Sequence, residues 1–233
     1  MTTEEIARAF LVPEPTIAQR IVRAKRTLSE THVPFEVPRG AELAPGKTEV
    51  HGLVALMEIQ ASRLRARAGP SGEPILLLDQ DRSRWDHLLI GRGLAALERA
   101  EKLGGQLGPY GLQAAIAACH ARAHVPEKTD WTRIVALYDA LAQVMPSSVV
   151  ELNRAVAVAM AFGPATALPL VDALTSEPSL RAYHLLPSVR GDLLAKLGRT
   201  DEARTEFERA ASLTRNTRER ELLLARAAAC ARS

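Results

Sequence analysis

The feature that most restricts the fold is a regular alternation of amphipathic helical stretches with short breaks, from residue 48 to residue 233. The breaks contain glycine or proline and fall at Gly104-Gly105, Gly108-Pro109, Pro146-Ser147 and Gly163-Pro164. Alanine, leucine and arginine dominate the composition and only 4% of residues are aromatic, which favours helix because such side chains lose little conformational freedom there. We therefore predict an all-α fold of stacked helical hairpins. The sequence allows at most a small hairpin, near residues 65–80, where Gly-Pro-Ser-Gly turns the chain.

Internal repetition is clearest in the run LLAKLGRTDEARTEFERAASL, which covers residues 193–213. Small and aromatic residues in and just before this run have the spacing of a tetratricopeptide (TPR) repeat: Gly191, Gly198, Ala203, Phe207 and Ala210. Residues 131–174 repeat the pattern weakly, with Tyr138 and Pro146 near the aromatic and proline positions. Units of this kind bury their apolar faces only by stacking, so we expect at least three of them.

The first 47 residues have a different organisation. Residues 3–11 and 16–28 predict two short helices, separated by the break Val12-Pro13-Glu14-Pro15. Residues 32–47 contain three prolines and two glycines, too many for the interior of a helix. We predict three parts: a helical segment over residues 1–31, a Pro/Gly-rich linker over residues 32–47, and the helical-repeat region over residues 48–233.

One face of the second predicted helix carries hydrogen-bond donors: Thr16, Gln19, Arg20, Arg23 and Arg26. No acidic residue occurs between Glu14 and Glu30, so this face could contact phosphates or base edges in a major groove. The alternative is a solvated outer face on a helix that packs through Ile17, Ile21 and Leu28.

Five blocks of the sequence, taken in order, resemble one family. TTEEIARAFLVPEPTIAQRIVRAKRTL resembles the last two helices of region four of an extracytoplasmic-function (sigma-70 type) RNA polymerase sigma factor, a helix-turn-helix that reads the −35 promoter element. The blocks LLLDQDRSRWDHLLIGRGL, GPYGLQAAIAACHA, TDWTRIVALYDAL and VVELNRAVAVAM resemble the TPR-like C-terminal extension of one subgroup of these factors.

The resemblance implies a function for each part. Residues 1–31 would be a partial helix-turn-helix that contacts promoter DNA through Thr16, Gln19, Arg20, Arg23 and Arg26. Residues 48–233 would be a regulatory domain that binds RNA polymerase core or the rest of the sigma factor. Region two and the first half of region four are absent, and further helices are expected where Ala44-Pro45-Gly46 leads into HGLVALMEIQASR. The alternative is a free-standing TPR-like scaffold for protein contacts without DNA binding.

No motif predicts catalysis. The sequence has no glycine-rich phosphate loop, nucleophile elbow or His-Glu-x-x-His motif, so we expect no catalytic residue, cofactor or small-molecule substrate. Cys119, His120 and His124 do not supply the four ligands of a structural zinc site. We predict a buried thiol at Cys119, two histidines on a helix surface, and no metal.

Two roles remain open for the polar and aromatic residues of the helical region. Asp81 or Ser83 could cap the helix that follows, within an Asp-Arg network that fixes the loop. Possible contacts to a partner protein are Asp81, Arg82, Trp85, Tyr110 and Trp131, on a groove that Tyr138 and Tyr183 could extend. Such aromatic residues are also often part of a core.

Net charge and apolar runs suggest where the chain works. The net charge is only +3, so any basic surface must be local. The two cysteines, Cys119 and Cys230, lack C-x-x-C spacing, and no apolar run approaches the roughly 20 residues that span a bilayer. Met1 is followed by Thr-Thr-Glu-Glu instead of a basic leader. We expect a cytoplasmic protein without a membrane partner.

Overall fold

A computed structural model describes residues 47–70 and 72–231. These residues form nine α-helices and no β-strand, which confirms the predicted all-α fold. The helices are α1 (Thr48–Ser62), α2 (His87–Lys102), α3 (Pro109–Arg122), α4 (Trp131–Val144), α5 (Ser148–Phe162), α6 (Pro164–Leu174), α7 (Leu185–Lys196), α8 (Thr200–Leu213) and α9 (Thr217–Cys230). None of these nine helices is long and apolar enough to cross a membrane.

Side-chain caps fix where several helices begin. A carboxylate oxygen of Asp86 accepts the backbone N–H groups of Leu88 and Leu89 at 3.0 and 3.1 Å, at the start of α2. Asp130 does the same for α4, accepting the N–H of Arg133 at 2.9 Å. Each cap satisfies backbone donors that have no partner within the helix, so it defines the first turn.

The predicted cap of α2 was wrong. We expected Asp81 or Ser83 in that role, but Asp81 accepts the N–H of Ser83 and caps a separate 3₁₀ turn, Arg82–Arg84. The backbone is extended at Trp85 and Asp86, so α2 begins only at His87. The cap of α2 is therefore Asp86, the acidic residue that directly precedes the helix.

Gly163 is the single residue between α5 and α6. Its φ of +93° lies in the left-handed region, which side chains disfavour, and no atom lies within 4 Å of a Cβ built there. Backbone conformation, not space, therefore requires glycine at this turn. Pro164 then begins α6, a position where its missing N–H has no cost.

The helices pack largely in chain order. The helix α1 packs against both α2 and α3, and from α3 to α9 each helix packs against the next. One apolar cluster joins α5 through α9, and its largest buried side chains are Leu152, Val171, Leu180, Leu186, Leu193, Leu194 and Phe207. Another joins α3, α4 and α5 through Leu112, Ile116, Ile134, Leu141 and Val150. This is the stacked arrangement that the repeat pattern predicted.

The residues between α1 and α2 form a compact loop instead of a regular hairpin. Ala68 and Pro74 make an isolated antiparallel bridge, and the N–H of Ile75 donates to the carbonyl of Arg67 at 2.9 Å. Three 3₁₀ turns complete the loop: Leu64–Ala66, Leu77–Asp79 and Arg82–Arg84.

Small residues allow the close helix contacts that the repeat spacing predicted. On α7, a Cβ at Gly191 would lie 2.9 Å from Cε1 of Phe207 on α8. Beside this contact, Arg190 donates to Asp172 of α6 at 2.8 Å and to Glu206 of α8 at 2.9 Å. Close packing and this partly buried ion-pair network together tie α6, α7 and α8.

Substitution of Gly52 tests the close contact between α1 and α3, and substitution of Gly91 on α2 is its control. A Cβ at Gly52 of α1 would lie 2.6 Å from the backbone nitrogen of Gly111, so α3 must move to accept Gly52→Ala. We expect that variant to lose about 1–3 kcal/mol of unfolding free energy. Gly91 of α2 is exposed with nothing within 4 Å of its Cβ, so Gly91→Ala should gain roughly 0.5–1 kcal/mol through helix propensity. Urea unfolding followed by circular dichroism measures both, and changes of the same sign would contradict the contact.

Candidate functional site at the junction of α3 and α4

The structure describes only part of the predicted site residues. Thr16, Gln19, Arg20, Arg23 and Arg26 lie outside the described residues, as does the predicted helix-turn-helix over 1–31. The predicted protein-contact residues Asp81, Arg82, Trp85, Tyr110 and Trp131 are all described.

Arg82 reaches from the loop before α2 to the end of α3. Its side chain is nearly buried, with the residue 9% exposed. One guanidinium nitrogen donates to the backbone carbonyls of His120 and Ala123, at 2.8 and 2.6 Å. The other donates to the hydroxyl of Thr129 at 3.3 Å. A cation is favourable there because the last carbonyls of a helix carry partial negative charge.

Trp85 is the second anchor of the same loop. It is 4% exposed and packs against Ala66 and Ile90. The guanidinium of Arg82 lies 5.1 Å from its ring centroid and that of Arg63 lies 5.6 Å away, both within the range of cation–π attraction. The indole therefore lies in the core and does not line an open groove.

Asp81 is exposed and acts only locally. Its carboxylate accepts from the N–H of Ser83 at 3.0 Å and from the Ser83 hydroxyl at 2.6 Å, and these bonds lower the pKa of Asp81. We expected an Asp-Arg network in this segment. The hydrogen-bond acceptors of Arg82 are instead carbonyls and a hydroxyl, because the side chain points towards the end of α3.

Three arginines with little solvent exposure lie close together here: Arg63 and Arg82 face the Trp85 ring, and the charge of Arg67 acts on Arg63. Burial, followed by the nearby charges of Arg67 and Arg82, lowers the pKa of Arg63 to about 10. Arg67 donates to the side-chain oxygen of Gln60 at 2.8 Å and to its backbone carbonyl at 3.2 Å. Within the described residues, no carboxylate forms an ion pair with Arg63, Arg67 or Arg82. The region around Trp85 therefore holds three arginines without a paired carboxylate.

His120 was predicted on a helix surface, and that prediction was wrong. It is 7% exposed, and its ring meets Trp131 edge-on with the centroids 5.1 Å apart. Burial, with smaller contributions from Arg63 and Arg82, lowers the pKa of His120 to about 4. The signal was present in the run GLQAAIAACH, since a helix that is apolar on nearly all sides is buried.

The five predicted protein-contact residues do not form one surface. Arg82, Trp85 and Trp131 lie in one connected cluster around His120. Tyr110 lies at the other end of α3, roughly 15 Å away along the helix axis by the rise per residue. There its N–H donates to a carboxylate oxygen of Glu49 at 3.2 Å.

A pocket of about 230 Å³ opens beside this cluster. Three cationic side chains line it, those of Arg122, Lys128 and Arg133. Sequence analysis did not single out these residues, because they are spread over the end of α3, the turn Pro126–Lys128 and the start of α4. The folded turn between the two helices brings them together.

The other lining residues limit what the pocket can do. Cys119 is 5% exposed, as the buried thiol prediction required, and burial raises its pKa. Ala123, His124 and Asp130 complete the wall, and the Asp130 carboxylate is engaged as the cap of α4. No group of three or more His, Cys, Asp or Glu residues that could hold a metal occurs in residues 47–70 and 72–231. Because three of its lining side chains are cationic, the pocket suits an anionic group.

Comparison with known proteins gives two matches. Residues 25–101, which include Arg63, Arg82 and Trp85, match a family model described as a family of unknown function (DUF6596). An uncharacterized protein of Rhizobium meliloti (strain 1021) is 38% identical over 265 residues, covering 94% of this chain and 62% of the relative. The chain thus spans less than two thirds of the relative's length. No solved structure matches the chain.

The length of that alignment carries further information. It runs over 265 residues, whereas this chain has 233, so the relative contains residues in the matched region that have no counterpart here.

Arg82 and Arg84 lie in the same 3₁₀ turn but differ in burial, which makes them a matched pair. Arg82→Met removes the donors to two carbonyls at the end of α3, and we expect a loss of about 2–4 kcal/mol in unfolding free energy. Arg84→Met alters an exposed side chain and should change it by less than about 0.5 kcal/mol. Chemical denaturation measures both values. Equal effects would show that Arg82 does not anchor the loop.

The pKa of His120 predicts an acid-sensitive contribution to stability. The unfolded histidine titrates near its ordinary value of 6.5 and the folded one at about 4, so between these values the unfolded state binds more protons. Stability should therefore fall as pH drops through this window, by up to about 3 kcal/mol from this group. His120→Gln should flatten the loss, whereas His124→Gln, at an exposed position, should not. Thermal unfolding across the pH window tests this, and identical profiles for the two variants would refute it.

Proposed function

We propose that this chain is the C-terminal part of a bacterial extracytoplasmic-function sigma factor and acts in transcription initiation. In this proposal, residues 48–233 form a TPR-like regulatory domain that binds RNA polymerase core or the rest of the sigma factor. Residues 1–31 are a partial helix-turn-helix that contacts the −35 promoter element. The observation that carries the proposal is the order of the five resembling blocks, which extend from Thr2 to Met160.

The described fold supports a binding role for the helical region. The motif DQDRSRW forms a loop in which Trp85 is buried and Arg82 binds the last carbonyls of α3, so these two residues anchor the loop in the interior. Helical hairpins stacked in chain order expose long, rigid surfaces that suit contacts with other proteins. The basic pocket adds a local charge to such a surface.

The mechanism in this proposal is protein contact without chemistry. A domain that binds one conformation of the sigma factor or polymerase better than another shifts the population towards the first. The helical region could regulate initiation in this way and replace a separate anti-sigma factor. The proposal places the protein in the cytoplasm, with no cofactor, no catalytic residue and no small-molecule substrate.

The DNA contact rests on electrostatics and hydrogen bonds. Arg20, Arg23 and Arg26 would neutralise phosphates or reach base edges, and Thr16 and Gln19 would add neutral donors. Affinity that comes from phosphate contacts falls steeply with salt, because bound counterions are released from the DNA.

Two measurements on the full chain test this function. Immobilised chain should retain purified RNA polymerase core or the corresponding sigma regions. It should also bind a duplex containing the −35 element, with a loss of at least about threefold at low salt on Arg20→Glu and a smaller salt slope. Arg8→Glu, in the other predicted helix, is the matched control and should bind as the unaltered chain does.

The alternative function predicts a different pattern. A free-standing TPR-like scaffold would retain neither polymerase nor sigma regions and would bind DNA equally poorly before and after Arg20→Glu. That result would reject the sigma-factor proposal.

A further inference from the structure

The pocket at the junction of α3 and α4 carries an excess of positive charge. Arg122, Lys128 and Arg133 line it and are exposed to solvent. Across residues 47–70 and 72–231, no acidic side chain forms an ion pair with any of the three. Two other exposed arginines, Arg199 and Arg204, each pair with a glutamate three or four residues further along the chain. The three pocket cations are thus available for an external anion.

The surroundings of the pocket reinforce this charge. The end of a helix normally repels anions through its last carbonyls. Here Arg82 donates to the carbonyls of His120 and Ala123, and Ala123 is itself part of the pocket wall. The acid in the wall, Asp130, is already an acceptor for the N–H of Arg133. The wall therefore holds three cationic side chains against the single carboxylate of Asp130.

An exposed apolar side chain lies in the connection between α3 and α4 that also carries the pocket residues His124 and Lys128. Val125 is 46% exposed and sits directly between the pocket residue His124 and the turn Pro126–Lys128. A free phosphate or a small carboxylate would gain nothing from this side chain. A peptide that carries both acidic and apolar side chains would use the cations and the valine together.

We propose that this pocket binds an acidic segment of a partner protein, whose Asp or Glu carboxylates pair with Arg122, Lys128 and Arg133 while an apolar side chain rests on Val125. The inference deepens the proposed function, since it rests on the helical region being a protein-binding domain. The forked guanidinium groups suit carboxylates because each can form two parallel hydrogen bonds. Exposed pairs of this kind contribute most to the rate of association and to partner choice.

The test uses fluorescence anisotropy with the full chain. The probe is a short fluorescein-labelled peptide of alternating glutamate and aspartate around one leucine, compared with the same peptide made from glutamine and asparagine. We expect the acidic peptide to bind and the neutral one not to, with affinity falling as salt rises because the screening length is about 8 Å at physiological ionic strength.

Arg133→Glu is the most informative variant. It reverses one pocket charge, and we expect on the order of tenfold weaker binding of the acidic peptide. A glutamate in the first turn of α4, after the cap Asp130, is favourable to the helix, so a lower melting temperature is not expected. Arg215→Glu, in the exposed connection between α8 and α9, makes the same charge change and should leave affinity within about twofold.

Several outcomes would overturn the inference. Equal loss of affinity in Arg133→Glu and Arg215→Glu would mean that only the net charge matters. Full displacement of the peptide by millimolar inorganic phosphate would assign the pocket to a small free anion. Duplex DNA binding that Arg133→Glu abolishes would assign it to nucleic acid.

The two proposals can fail separately. Acidic-peptide binding through Arg133 without retention of polymerase or sigma regions would keep the pocket and reject the sigma-factor function. Retention of polymerase by the Arg133→Glu variant, without peptide binding by the unaltered chain, would reject the pocket alone.

Discussion

The contact between Arg82 and the end of α3 is the constraint on which the α3–α4 junction depends. One guanidinium joins the loop before α2, the last carbonyls of α3 and the hydroxyl of Thr129 just before α4. Burying a charge is costly unless polar groups replace its water, and here two carbonyls and a hydroxyl do so without a carboxylate. Because Ala123 both accepts from Arg82 and lines the pocket, the same contact sets the shape of the candidate binding site.

Small residues provide the second constraint, since the chain has few aromatic side chains with which to fill gaps. Gly52 brings α1 against the backbone of α3, Gly93 brings α2 against Ile59, and Gly191 brings α7 against Phe207. Where a glycine replaces a larger side chain, the two helix backbones come closer together, and their atoms make many van der Waals contacts. An alanine-rich sequence can therefore still build the dense interior that a stack of hairpins needs.

The sequence predicted the architecture better than the site, for physical reasons. Helical periodicity and the breaks at Gly163-Pro164 and Pro146-Ser147 depend on local conformation, so they identified the all-α fold and its turns. The apolar run GLQAAIAACH could have indicated the burial of His120, but its contacts with Trp131 and Arg82 depend on tertiary packing that a helical pattern does not contain. The pocket cations come from three separate elements, and only the turn after α3 brings them together.

The DQDRSRW motif shows why a polar stretch is hard to interpret from residue types alone. Its arginines and aspartates are compatible with either a salt-bridge network or a contact surface. In the fold, Asp81 of this motif caps a 3₁₀ turn and Arg82 donates to the last carbonyls of α3, while Asp86, the residue after the motif, caps α2. Backbone groups left unpaired at helix ends determine these roles, and their positions follow only from the complete packing.

Two groups with shifted pKa values, His120 and Cys119, lie at the junction of α3 and α4. Burial keeps His120 uncharged and raises the pKa of Cys119, so at neutral pH the first is not a cation and the second is not a thiolate. Both shifts here follow from exclusion of water by the packed ends of α3 and α4. What this junction offers to solvent is therefore the charge of Arg122, Lys128 and Arg133, and the proposed acidic partner would complement that charge.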